Sequence, residues 1–203
     1  MVRLFRAPWS TNVERVALAL AHKGVEVESV TISYEDRSAV EAVSGQGLVP
    51  VLDDDGVIVS DSTRILRHLE ATRPDPPLFP RDAARRAEMD VFLEWFNEVW
   101  KGPPNAIEEA LETDDPGLAA VAVHARRLDA WLDLFDAMLD GRPYLFGDFS
   151  AADCAAFPFL KFPLLRDPAD DELFHRLLAE YQSLAGRPRL AAWIERVDAH
   201  PRV

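Results

Sequence analysis

A short proline-rich segment divides this 203-residue chain into two parts with different sequence patterns. Residues 73–81, with the sequence RPDPPLFPR, contain four prolines in nine positions. Proline fixes its own φ angle and cannot donate a main-chain hydrogen bond, so a regular helix or central strand cannot continue through such a segment. We therefore predict a stiff linker at 74–81 between one domain at 1–73 and another at 82–203. A long surface loop is the alternative.

Strand and helix patterns alternate before this segment. A helix is predicted where apolar residues recur at i, i+3, i+4 and i+7, at Val13, Val16, Ala17 and Leu20. The β-branched stretch 25–32 predicts a strand, and the run DDDG at 53–56 predicts a hairpin between strands at 49–52 and 57–59. The resulting order β-α-β-α-β-β-α predicts a small α/β domain with a mixed sheet.

Helical periodicity dominates the second part of the chain. Apolar residues at helical spacing predict helices near 89–100, 118–139, 150–160, 174–184 and 190–199. The first of these is expected to end at Gly102-Pro103-Pro104, because proline interrupts a helix that has already begun. The second domain is therefore predicted to be all-α.

The net charge and the cysteine content limit which classes of function this chain can have. The net charge of −13 disfavours a nucleic-acid partner, because such binding depends on Lys and Arg neutralising phosphates. The single cysteine, Cys154, excludes a disulfide within the chain and a multi-cysteine metal site. The sequence begins without the apolar stretch of a secretory signal, and its longest apolar runs are too short to span a membrane. We expect a cytoplasmic protein with no membrane or nucleic-acid partner.

Ser10 is the first candidate for chemistry. Thr11 and Glu14 have the spacing of a capping box, in which Thr11 would cap the first helix and leave Ser10 without a capping role. The Ser10 hydroxyl would then lie at the positive end of a helix dipole, where an anion such as a thiolate is favoured. Ser10 as the N-cap itself, or as an ordinary surface hydroxyl, is the alternative.

Two further segments combine unusual backbone signals with polar side chains. Pro50 stands in a strand-like run, which indicates either an edge, strand-start or bulge position or a cis peptide bond after Val49. Each arrangement exposes the Val49 backbone to an extended ligand. The run SDST at 60–63 provides a helix N-cap, and its remaining groups, including Asp61 and Ser62, can bind an amino-acid head group.

Several segments resemble glutathione S-transferases in order and spacing. Residues 10–24 resemble the active-site helix of that family, and residues 47–52 with 60–69 resemble its glutathione-binding stretch. The run GDFSAAD at 147–153 is similar to a box at the start of a core helix, where Ser150 and Asp153 would form a cap with a folding role. The resemblance covers nearly the whole chain. It implies a thioredoxin-like α/β domain followed by an all-helical domain, usually in a homodimer.

The resemblance also implies roles for individual residues. Ser10 stands where the serine-type theta and zeta classes keep the hydroxyl that binds the glutathione sulfur. Val49, before a cis-proline at Pro50, would pair its backbone with the cysteinyl part of glutathione. Asp61 and Ser62 would hold the γ-glutamyl end.

Residues flanking Ser10 complete the predicted site. We also predict that Trp9 and Thr11 bind glutathione, because they flank Ser10. Trp9, Phe96 and Trp100 are candidates to line a pocket for an apolar substrate. Core packing is the alternative for Phe96. A tyrosine-type mechanism is disfavoured because no tyrosine precedes Tyr34. A cysteine-type mechanism is disfavoured because Ser10 replaces the nucleophilic cysteine of those classes.

The predicted activity is therefore that of a serine-type glutathione S-transferase. Glutathione is its co-substrate, a small hydrophobic electrophile is its second substrate, and no metal is required. One alternative is a zeta-like isomerase of maleyl compounds, although the run Ser10-Thr11-Asn12 lacks that class's Ser-Ser-Cys. The other is a non-catalytic thiol-binding or protein-interaction module with the same fold.

Overall fold

The computed structural model describes residues 1–113 and 117–203, which form two compact units. The first unit comprises Met1–Arg81 together with His200–Val203, and the second comprises Asp82–Ala199. The two units differ in class, as the sequence patterns predict, so each is described by itself.

The first unit is a four-stranded mixed sheet with three helices. Its elements are β1 (Val2–Arg6), α1 (Thr11–His22), β2 (Val27–Thr31), α2 (Ser38–Ser44), β3 (Val51–Asp54), β4 (Val57–Ser60) and α3 (Ser62–Thr72). The strand order is β2-β1-β3-β4, with β1 parallel to β2 and the other pairs antiparallel. The predicted element order and the thioredoxin-like fold are confirmed.

Apolar residues from the sheet and its connections form a core cluster of this unit. Phe5 in β1 and Val51 in β3 are register partners, and both are buried. Ala7, Ile32 and Val40 complete the cluster. Because Ala7 and Val51 adjoin the connections that follow β1 and precede β3, the core reaches the segments in which the site residues were predicted.

The hairpin between β3 and β4 turns at two residues rather than four. Asp55 and Gly56 have φ angles of 52° and 93°, as tight hairpin turns require. Asp53 and Asp54 belong to β3 and are buried, and their carboxylates accept hydrogen bonds from Arg3 and Arg73, respectively. Two hydrogen bonds from Arg73 are the largest of the effects that lower the pKa of Asp54 to about 2.

The proline-rich segment packs against the first unit. Lys23 Nζ donates to Glu70 Oε2 at 2.7 Å and to the Pro76 carbonyl oxygen at 2.6 Å. The Leu78 amide donates to the same Glu70 oxygen at 2.9 Å, and the Leu78 and Phe79 side chains are buried. Residues 74–81 are therefore held by a buried ion pair and two apolar anchors, in contrast to a detached spacer.

The C-terminal residues 200–203 also belong to the first unit, although the sequence placed them in the helical domain. Arg202 Nε donates to Glu14 Oε1 at 3.1 Å, and Arg6 Nη1 donates to the Val203 carbonyl oxygen at 2.8 Å. Contacts between residues nearly 200 positions apart leave no local pattern in a sequence, which is why this grouping was missed.

The second unit is all-α over its described residues, as predicted. Its elements are α4 (Ala83–Trp95), a π-helical turn (Phe96–Trp100), α5 (Gly102–Leu111), α6 (Leu118–Met138), α7 (Ala151–Leu160), α8 (Leu173–Tyr181) and α9 (Pro188–Asp198). Aromatic rings dominate its centre: Phe96 stacks on Trp100 at 4.6 Å, and both contact Phe135 and Phe159. Across residues 1–113 and 117–203, no helix has both the length and the apolar character that a membrane crossing demands.

Helix α5 is absent from the sequence-based prediction. Gly102-Pro103-Pro104 begins this helix, whereas the sequence pattern predicts only that the preceding helix ends there. Proline is well tolerated in the first turn, where the backbone N–H groups have no intrahelical partner. The chain therefore passes through the π-helical turn at Phe96–Trp100 and starts a new helix directly after it.

Candidate active site

The sheet register brings the three predicted site segments to one edge. Phe5 near the end of β1 pairs with Val51 at the start of β3, and Val51 pairs with Ser60 at the end of β4. The chain leaving β1, the chain entering β3 and the chain leaving β4 therefore lie side by side. The segments attached there are 7–10, 49–50 and 61–62.

Ser10 lies at the N-terminus of α1 and is its N-cap. Its Oγ accepts a hydrogen bond from the Val13 amide at 3.3 Å. The predicted capping box is therefore wrong: Thr11 is already the first residue of the helix, and Glu14 pairs with Arg202. A hydroxyl that accepts a hydrogen bond keeps its own proton, so a capping serine can still donate to an anion.

The residues beside Ser10 have different environments. Trp9 adopts a positive φ of 60° and leaves its side chain 42% exposed, whereas Thr11 is buried in the first turn of α1. Tyr34 Oη donates to the Pro8 carbonyl oxygen at 3.0 Å, and this hydrogen bond stabilises the loop between β1 and α1. A positive φ angle is uncommon for a bulky residue. The instances that do occur are often found at functional sites.

The Val49–Pro50 peptide bond is cis, which decides between the alternatives that the sequence left open. Val49 is partly buried and packs against the core cluster of the first unit, while Pro50 is buried. The preceding Leu48 is 70% exposed. Residues 48–50 thus run along the edge of the sheet, beside the loop that carries Ser10.

Asp61 and Ser62 form the N-terminus of α3. Asp61 has a φ of 76° and caps the helix through Oδ1, which accepts from the Arg64 amide at 2.9 Å. The Asp61 residue is exposed, whereas Ser62 is buried and its Oγ accepts from Arg15 Nη1 at 3.4 Å. The N-terminus of α3 therefore has one exposed polar side chain, Asp61, and one buried polar side chain, Ser62.

Arg15 is a residue of the site region that the sequence analysis missed. It is fully buried in α1, and its contact with Ser62 connects the helix that Ser10 caps to the helix that Asp61 caps. The available signal was a charged residue beside the apolar stripe of α1, because a buried guanidinium requires built-in partners. The contact itself depends on how α1 packs on α3.

The electrostatics of this edge favour an anion. The N-termini of α1 and α3 both meet it, and each carries a partial positive charge from the helix dipole. Ser10 and Ser62 each accept a hydrogen bond and retain a hydroxyl proton for donation. A ligand that carries a negative charge at two separated points suits this arrangement.

The other sequence candidates lie in the core. Phe96 and Trp100 are fully buried in the second unit, so they do not line an open pocket. Cys154 is also fully buried. In the part of the chain that the structure describes, no three His, Cys, Asp or Glu side chains meet in a way that could hold a metal ion.

The predicted cap of α7 is confirmed. Asp153 Oδ2 accepts from both the amide and the hydroxyl of Ser150, at 2.9 and 2.8 Å. Asp153 Oδ1 accepts from the Leu145 amide at 3.0 Å and from Trp193 Nε1 at 2.8 Å. Burial raises the pKa of Asp153 to about 6 despite these four hydrogen bonds. This serine has a folding role.

Comparisons with known proteins agree with this description. The family model "Glutathione S-transferase, N-terminal domain" matches residues 4–77, and the corresponding C-terminal domain model matches residues 106–197. The chain is 27% identical to glutathione S-transferase GstB of Escherichia coli over 100% of this chain and 96% of the relative. It is 28% identical to glutathione S-transferase L1 of Arabidopsis thaliana over 97% of this chain and 77% of the relative.

A solved structure supports the fold over its full length. The glutathione S-transferase of Methylobacillus flagellatus, crystallised with glutathione bound, superimposes with a TM-score of 0.78 at 20% identity and covers 100% of both chains. At this level of identity the likeness shows the fold alone. Since the two domain models together match more than three quarters of the sequence, this chain belongs to the glutathione S-transferase family.

Proposed function

We propose that this protein is a serine-type glutathione transferase, in which the Ser10 hydroxyl donates a hydrogen bond to the thiolate of glutathione. The observation that carries the proposal is the geometry of the Ser10 cap. Ser10 Oγ accepts from the Val13 amide, so its proton remains available at the positive end of α1. Ser10 acts as a hydrogen-bond donor, and the nucleophile is the sulfur of glutathione.

The energies of these interactions are large enough for the task. Lowering a thiol pKa from ~8.5 by two units requires about 2.7 kcal/mol of differential stabilisation. A hydrogen bond to a charged group supplies ~1.5–3 kcal/mol. The dipole of α1 adds ~0.3–1 kcal/mol or more where the site is partly buried. Thiolate formation near neutral pH therefore follows from groups already present at the N-terminus of α1.

The two remaining segments would bind the rest of glutathione. The Val49 backbone, before the cis bond to Pro50, is suited to pair with the extended cysteinyl part. The exposed Asp61 carboxylate suits the γ-glutamyl ammonium group, and Ser62 with the N-terminus of α3 suits its carboxylate. Thr11 is buried, so its contribution would come from its backbone amide.

The second substrate would be a small hydrophobic electrophile that packs against Trp9. This indole is half exposed and directly precedes Ser10. In the reaction, the thiolate sulfur forms a bond to the electrophilic carbon. The displaced electron pair leaves with a leaving group or moves to an adjacent electron-withdrawing group, where a proton from water completes the product. The thiol must stay reduced to react, so we propose a cytoplasmic setting.

We also propose that the protein is a homodimer. The second unit has a groove of about 880 Å³ between α4 and α6, with Phe92 and Trp95 among its lining residues. Val91 and Leu134 at this groove are 66% and 45% exposed, and a second copy would remove them from water. Light scattering should give twice the 22.7 kDa mass of the chain. The mass of a single chain would refute the dimer.

An ultraviolet titration of glutathione bound to the protein tests the role of Ser10. We expect the thiol to titrate well below ~8.5 in the native protein. In Ser10→Ala the titration should return toward ~8.5, and kcat/KM for thiol conjugation should fall tenfold or more, about 1.4 kcal/mol. Ser29→Ala is the matched control, because Ser29 lies exposed on β2.

A second variant separates the lost hydroxyl from the lost cap. Because Ser10 caps α1, Ser10→Ala is expected to cost about 1 kcal/mol of stability, whereas Ser10→Gly costs only a few tenths. If the hydroxyl is responsible, the pKa of the bound glutathione thiol should rise by the same amount in both variants. An unchanged shift in Ser10→Gly would remove Ser10 from the mechanism.

A further inference from the structure

The C-terminal residues contact both sides of the loop that carries Ser10. Arg202 Nε donates to Glu14 Oε1 at 3.1 Å, and Arg6 Nη1 donates to the Val203 carbonyl oxygen at 2.8 Å. Arg6 is the last residue of β1, and Glu14 lies in the first turn of α1. The Arg202–Glu14 ion pair is largely shielded, with side chains 26% and 16% exposed.

The position of Glu14 matters because it follows Ser10 by four residues. Residues i and i+4 share a helix face about 6 Å apart along the axis, and side chains lean toward the N-terminus. A carboxylate in the first turn stabilises the helix itself through the dipole. The same carboxylate repels any anion placed at the helix end. Glu14 therefore supports α1 and, if left uncompensated, opposes a thiolate beside Ser10.

We propose that Arg202 neutralises the Glu14 carboxylate and so keeps the N-terminal end of α1 favourable for the glutathione thiolate. The inference rests on the proposed function of Ser10 and adds a positioning residue that acts through Glu14. The shielding of the pair makes this compensation effective, because a partly buried ion pair is screened less by water and salt than an exposed one.

Other charged groups on these elements, and on α3, which packs against α1, are unchanged in the variants tested below and therefore contribute equally to each titration. They are Arg3 and Arg6 in β1, Arg15, His22 and Lys23 in or directly after α1, Asp61, Arg64, Arg67, His68 and Glu70 at the start of α3 or within it, and His200 beside Arg202. Arg3 donates to Asp53, Arg6 to Val203 and Arg15 to Ser62. Burial is the main cause that lowers the pKa of His22 and of His200 below its ordinary value.

The test is the titration of the bound glutathione thiol in Arg202→Met. Loss of the cation should raise the thiol pKa by a few tenths of a pH unit, the size expected from one unit charge near a thiolate in a largely aqueous dielectric. The double variant Glu14→Gln/Arg202→Met should restore the native value, because it removes both charges. Arg81→Met removes a cation from an exposed ion pair with Asp75 and serves as the control.

The outcomes separate this inference from the role of Ser10. A native thiol pKa in Arg202→Met would overturn the inference, as would a double variant that stays shifted, since that result assigns Arg202 a purely structural role. A higher thiol pKa in Glu14→Gln alone would also overturn it. A native protein whose bound thiol titrates near ~8.5 would instead refute the proposed function of Ser10, and with it this inference.

Discussion

One serine in each unit is a helix N-cap, and the two differ in whether the hydroxyl proton remains available for another hydrogen bond. Ser10 caps α1 and Ser150 caps α7. Ser150 is buried and donates its hydroxyl proton to Asp153, which also binds the Ser150 amide. Ser10 is only partly buried, and its described hydrogen bond uses Oγ as an acceptor. A cap whose proton is committed serves folding, whereas a cap whose proton remains available can serve a ligand.

The surroundings of the two caps explain this difference. Asp153 receives four hydrogen bonds, from Leu145, Trp193 and twice from Ser150, so the α7 cap forms a closed network inside the second unit. The α1 cap stands at the open edge of a sheet, next to Trp9 in an uncommon backbone conformation. The lesson is that the burial and partners of a capping residue decide its role.

The largest effect is expected from breaking the closed network. Asp153→Asn keeps one acceptor oxygen but turns an amide group toward two buried donors. Leaving buried donors unpaired costs ~1–3 kcal/mol each, so the free energy of unfolding should fall by about 3 kcal/mol or more. Urea denaturation measures the loss.

Ser150→Ala is the companion variant and sharpens the contrast with Ser10. It should lower stability by about 1 to 2 kcal/mol and leave the pKa of bound glutathione unchanged, because α7 has no part in the proposed thiol site. A changed thiol pKa in Ser150→Ala would contradict the division between a folding cap and a ligand cap.

Two buried carboxylates should give the units opposite responses to pH. The pKa of Asp153 is raised to about 6, so the folded state holds its proton more tightly than the unfolded chain. Its contribution to stability therefore increases as pH falls from 6 toward ~4, by up to about 3 kcal/mol. The pKa of Asp54 is lowered to about 2, so its contribution, about 2 kcal/mol, is present above ~4 and is lost as pH falls toward 2.

Amide hydrogen exchange between pH 6.5 and 2.5, corrected for intrinsic rates, resolves the two responses by region. Protection of α7 should rise down to about pH 4, whereas protection of β3 should be steady to about pH 4 and then decline. Asp54→Asn is the control that removes the acid-dependent loss in β3. If protection of α7 and of β3 changed with pH in the same direction, the opposite contributions of Asp153 and Asp54 to stability would be refuted.

The success of sequence-based prediction varied with the range of the interactions involved. The helices α1, α6 and α7 and the hairpin at Asp55-Gly56 follow from periodicity and turn chemistry, which act over a few residues. Helix α5 was missed because Gly102-Pro103-Pro104 is compatible with either the end or the start of a helix. The N-cap of α1 was misassigned because Ser10 and Thr11 are both good capping residues.

Sequence alone determined the class of each unit and the position of the proline-rich segment, because both follow from local propensity and apolar spacing. The residues of the proposed thiol site came from the resemblance of several segments to a known family. Only the tertiary structure decided that Ser10 caps α1, that Arg15 reaches Ser62 and that Arg202 reaches Glu14. The last two contacts join residues 47 and 188 positions apart, and such pairs are brought together by packing rather than by local pattern.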